Sequence, residues 1–128
     1  MSRRVVITDP SKPAEVIDMD EGEFDDNPYF ASQVWVGPHP EMVRHRYSEL
    51  PEGIVGWVDE DGGFKPDLEL NSKATLLLYP SPPGLVGVVV FTRMSDDRER
   101  IIDLTEEDIE AIGQLFPEIY EEDSDATR

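Results

Sequence analysis

Leu85-Val86-Gly87-Val88-Val89-Val90-Phe91-Thr92 is the stretch on which the fold turns. It is β-branched almost throughout and carries no charge. It reads as a strand, the firmest in the chain. It sits inside residues 72–95, which contain no acid, in a chain of 128 residues where 29 Asp and Glu outnumber 11 Lys and Arg. Here the core is expected.

Working outward, Met94-Ser95-Asp96-Asp97 turns the chain and residues 98–103 pair back. On the other side, Pro80-Ser81-Pro82-Pro83-Gly84 is a stiff connector, preceded by a buried strand over residues 74–79. These three strands form an antiparallel meander. Thr105 then caps a helix, with Asp108 three residues later in a capping-box arrangement. Glu106, Glu107 and Asp108 complement the positive end of its dipole, and Ile109, Ile112 and Phe116 line one face. Residues 121–128 form a polar, frayed tail.

Toward the N-terminus the pattern is sparser. Residues 3–8 read as a strand stopped by Asp9-Pro10. Residues 11–27 are dense in charge and poor in apolar side chains, and read as a loop or mobile arm. Residues 33–37 read as a strand, with Val34 and Val36 on one face and Trp35 on the other. In residues 41–50, Met42, Val43, Arg46, Tyr47 and Leu50 fall near helical spacing behind Pro40, which favours a short helix over a strand. Residues 54–58 read as a strand closed by Asp59-Glu60-Asp61-Gly62-Gly63, and Phe64 begins a short return strand limited by Pro66. The expectation is a single α+β domain over residues 1–128. It has an antiparallel sheet of five or six strands, ending in a three-strand meander, and a C-terminal helix packed on one face.

Leu, Ile, Val and Phe together make 34 of the residues, enough for a core despite a net charge of −18. There is no cysteine, which excludes disulfides, thiolate metal sites and a Cys nucleophile. After Arg3 and Arg4 the apolar run is too short for a signal peptide, and no stretch approaches a membrane span. A cytoplasmic location is expected.

Catalytic signatures are missing. His39 lies between two prolines and His45 between two arginines, at a spacing that is not a helical ligand pair. Asp18-Met19-Asp20-Glu21-Gly22-Glu23 resembles the start of a calcium loop, but counting from Asp18 the glycine falls at position 5 and position 12 is Tyr29. No nucleophile elbow, phosphate loop or dinucleotide fingerprint occurs. The glycines at 53, 56, 84 and 87 suit bulges or turns better than phosphate cradles. A non-enzymatic protein without cofactor or metal is expected.

The charge falls in blocks. Residues 15–26 hold seven acids and no base, and residues 96–110 hold eight acids against Arg98 and Arg100. A short block fills residues 59–61 and another the tail. One reading is plain solubility. The sharper reading is a recognition surface for a basic partner, such as a nucleic-acid-binding protein, with the acids competing against nucleic acid in the manner of a mimic or inhibitor. A globule of this size is about 36 Å across. Duplex DNA of that length carries about 20 phosphate charges, the same order as the chain's own excess. Direct binding to nucleic acid or an anionic membrane is disfavoured by the same charge. The candidate partner-binding residues are Asp18, Asp20, Glu21, Glu23, Asp25 and Asp26, with Tyr29 and Phe30 as aromatic anchors. The alternative is a structural or assembly subunit that uses the sheet edge and the N-terminal arm. The sequence leaves the oligomeric state open.

Overall fold

The computed structural model describes residues 2–20, 33, 35–37, 39–45, 50–59, 69–71, 74, 75, 78, 86–97, 100–114 and 116–119. Among them the order is β1 (Ser2–Asp9), β2 (Lys12–Asp20), β3 (Pro40–Arg44), β4 (Ile54–Asp59), β5 (Val89–Met94), β6 (Ile101–Ile102) and α1 (Glu106–Gly113). Every strand pair is antiparallel. The fold is α+β, a six-stranded sheet with one short C-terminal helix.

The strand order β2-β1-β5-β4-β3 makes β5 central. Phe91 opposes Val6 of β1 on one side and Gly56 of β4 on the other. Two residues on, Arg93 opposes Ile54 of β4 and Ile102 of β6. β6 therefore takes over the side of β5 that β1 leaves. Successive side chains of β5 enter different cores, as the pleat requires. Val89 and Phe91 join Val6, Ala14, Ile54 and Val58 in one buried cluster, together with Leu104, Ile112 and Phe116. Val90 and Met94 join Val5, Val55, Trp57 and Ile101 in the other. Burial on both faces explains why β5 is apolar at consecutive positions rather than alternate ones. The Phe91 and Phe116 rings lie 6.1 Å apart in a tilted arrangement.

Gly56 is needed inside β4 for packing. A Cβ there would run into the Leu78 side chain, which lies fully buried against the strand. α1 begins as its sequence requires: Thr105 Oγ1 accepts from the Asp108 N–H at 3.1 Å, and Asp108 accepts from the Thr105 N–H at 2.8 Å.

Four expected elements differ. Residues 12–20, expected within a loop or mobile arm, form β2, because an edge strand needs few apolar side chains and tolerates charge on its open side. Ala14 and Val16 serve one core and Ile17 the other. In the stretch 33–37, Gln33, Trp35 and Val36 are helical, not strand. The Gly37 N–H closes the turn on the Gln33 carbonyl at 3.1 Å, and Gly37 at φ 110 ends it. The short helix expected over 41–50 is strand β3 through Arg44, with Met42 and Val43 packed into opposite cores. Ala74 and Thr75, expected in a buried strand, are helical, and Leu78 makes only an isolated bridge to His45. That segment is therefore not the first strand of the expected meander. β5 itself begins at Val89, since Gly87 at φ 73 breaks the extended run. The return strand at Phe64 and the tail 121–128 lie outside the described residues.

Candidate interaction surface

Arg4 sits where two acidic blocks meet. On β1 it lies opposite Asp18 of β2. Its guanidinium extends to the segment joining β6 to α1. Nε donates to Asp103 Oδ1 at 3.0 Å, Nη1 to Glu106 Oε1 at 2.9 Å, and Nη2 to Asp103 Oδ2 and the Leu104 carbonyl. The Arg4 backbone N–H also donates to Asp103 Oδ1, at 2.8 Å. The hydrogen bonds that Arg4 donates to Asp103 and then to Glu106 raise its pKa. Partial burial alone would raise the Asp103 carboxyl, but its bonds from Arg4 outweigh that and hold it below the ordinary range. Around this one cation the fold brings the block 15–26, through Asp18, to the block 96–110, through Asp103 and Glu106.

A second arginine is set deeper. Arg93 on β5 grips Asp108 of α1 with Nε to Oδ2 and Nη2 to Oδ1, both at 2.6 Å. The Asp108 side chain has no solvent exposure. Burial pushes its carboxyl up, but Arg93 and the Thr105 N–H pull it net below the ordinary range. Gly53 makes room for this arginine, since a Cβ there would approach Arg93 Nη1 to 2.5 Å.

β2 is an outer strand of the sheet, and among the described residues it pairs only with β1. Glu15 and Asp18 are exposed, and Val16 and Ile17 are half-buried on opposite faces. At its N-terminal end the Ala14 N–H donates to Glu118 Oε2 at 3.1 Å.

Beside the β1–β2 turn lies an open cleft of about 230 Å³, lined in part by Asp9, Lys12, Leu70, Asn71 and Phe116. Among its buried lining residues, Asn71 is engaged at both ends of its amide. Nδ2 donates to Thr8 Oγ1 at 3.0 Å and to the Gly87 carbonyl at 3.1 Å, and Oδ1 accepts from the Ala74 N–H at 3.4 Å. Asn71 is thus a fastener for the turn at 74 and 75. Asp9 accepts the Ser11 N–H and hydroxyl, which lower its pKa. The histidines do not converge. His39 is exposed ahead of β3 and His45 lies just past its end. Six extended residues separate them by about 20 Å. His45 Nε2 lies 2.7 Å from the Pro51 carbonyl, so Nε2 is the donor, and Nδ1 is buried with no hydrogen-bond partner among the described residues. Among the described residues, no group of three His, Asp or Glu is arranged to hold a metal ion.

The family model described as domain of unknown function DUF3846 matches residues 1–117, taking in all six strands and α1. The chain belongs to the DUF3846 family. No curated protein and no solved structure matches it.

In this DUF3846 chain two of the candidate partner-binding residues are described. Asp18 is exposed on β2, and Asp20 closes that strand opposite Ser2. Glu21, Glu23, Asp25, Asp26, Tyr29 and Phe30 lie outside the described residues. Sequence reasoning missed Arg4 and Arg93, which organise the acids from within. Arg93 had a local signal: it precedes the turn that leads to Asp108, and a capping-box acid with a buried side chain calls for a cation. Arg4 had none, because its partners are about a hundred residues away.

Proposed function

We propose that this DUF3846 chain is a non-enzymatic acidic interaction module that engages a basic protein surface, where it competes with nucleic acid. One observation carries the reading: Arg4, bonded to Asp103 and Glu106, stands opposite Asp18 in the β1–β2 register, so acids from two distant blocks flank one residue. A single arginine offsets only part of that charge. A field of one sign speeds encounter with a basic partner and repels acidic ones. The two aromatic anchors of this reading, Tyr29 and Phe30, follow the first block in sequence. A cytoplasmic location, which the cysteine-free composition suits, belongs to the reading as well.

The test is a titration against basic nucleic-acid-binding proteins at low and high salt, with and without competing DNA. Binding is expected at low salt, weakened at least tenfold by raising salt, by excess DNA, or by the double variant Asp18→Lys, Asp20→Lys. No binding at low salt, or affinity indifferent to charge reversal, overturns the reading.

A further inference from the structure

The outer edge of β2 has a defined polarity of backbone groups. The Ala14 N–H turns away from β1 to reach Glu118, and the Arg4 N–H turns away from β2 to reach Asp103. In an antiparallel pair, backbone groups alternate between the two edges of each strand. In the observed register, Glu15, Ile17 and Met19 therefore bond to Ile7, Val5 and Arg3, while Val16, Asp18 and Asp20 turn N–H and C=O outward. Among the described residues nothing covers those groups. Pro13 and the Glu118 cap close the strand's first positions, so the open stretch is residues 16–20.

We propose that this edge receives an extended basic segment of the partner as an added strand, with lysine or arginine beside Glu15 and Asp18 and small apolar residues beside Val16 and Ile17. The inference rests on the acidic-module reading and supplies its mode of recognition. Main-chain bonds to the outward groups give affinity, and alternate side chains give the choice of partner. Charge selects the occupant. Natural sheet edges are guarded by charge against unwanted pairing. Here the exposed guards are the acids Glu15 and Asp18, which admit a basic strand. A second copy of this chain would set acids against acids across the new pair, between molecules each carrying −18.

The experiment titrates the full chain with a nine-residue peptide of repeated lysine-valine-valine, which sets lysine opposite both Glu15 and Asp18, and with the same peptide N-methylated at every residue. Methylation keeps the charge but removes the bonds a strand must make. The unmodified peptide is expected to bind at least tenfold more tightly and to slow hydrogen exchange at the Val16, Asp18 and Asp20 amides. On the protein side, Asp18→Pro is expected to weaken binding well beyond Asp18→Asn, because it removes an outward N–H and leaves the β1 ladder alone. Equal affinity for the two peptides overturns strand addition and leaves the acidic-module reading standing. Failure of both peptides to bind at low salt removes that reading, and this inference with it. Protection of the same amides in the free chain, with a doubled mass in solution, makes a second copy the occupant and also overturns the proposal.

Discussion

Arg93 and Arg4 both hold carboxylates beside the start of α1, in opposite surroundings. Arg93 forms a fork with Asp108, whose side chain is wholly buried and also accepts from Thr105. Arg4 spreads its donors over Asp103 and Glu106, whose side chains are 46% and 85% exposed. The first pair ties α1 to the central strand. The second trims an acidic field in water. The same ion-pair chemistry is thus architecture in one place and electrostatic tuning in the other, and burial decides which.

That contrast breaks or sharpens under substitution. Asp108→Ala leaves Arg93 without its partner and α1 without its capping box, and is expected to cost about 3–5 kcal/mol in urea unfolding. A cost near 1 kcal/mol would erase the distinction between the two pairs. Acid comes next. Asp103 and Asp108 both titrate lower in the folded chain than in an unfolded one. Their stabilisation is therefore complete above the unfolded value of about 3.9 and is lost as pH falls through the lower folded values. Thermal melts should hold from neutral pH down to about 5 and collapse below about 4. Asp108→Asn should flatten that collapse more than Asp103→Asn does.

Arg4→Ala is expected to cost about 1 kcal/mol, since its partners are solvated. It should also raise the affinity for a basic partner, because it exposes Asp103 and Glu106. The smallest effect is that of salt. Raising salt to 0.5 M should shrink the Arg4→Ala cost by a few tenths of a kcal/mol and leave the Asp108→Ala cost unchanged.

How far the sequence speaks follows the same divide. The Val89-Val90-Phe91 run of β5 and the Thr105–Asp108 capping box were legible, because each is a local pattern with one physical meaning. β2 was not. Its charges suggest a loop, and only pairing with Val5, Val6 and Ile7 makes it a strand. β3 was misread because Met42 and Val43, adjacent in sequence, pack into opposite cores, which imitates one stripe of a helix. The helical turns at 35 and 74 are too short to show a period, and their signals are single residues: Gly37 as a terminator and Asn71 as a fastener. Of the candidate surface, the acids were visible, but Arg4, which pairs with them, acts across about a hundred residues.

The late position of β5 sets a timetable for synthesis. The β1–β2 and β3–β4 hairpins emerge early, yet each must wait for β5 to enter between them. Thr8 and Val89, bonded across that seam, are 81 residues apart. At ordinary translation speeds the first hairpin, complete at Asp20, waits roughly 3–14 s for β5 to begin at Val89. Through that interval its inner edge is bare. Acids on an outer strand oppose edge pairing with neighbouring chains, so the charge proposed to meet a basic partner would also guard the unfinished sheet.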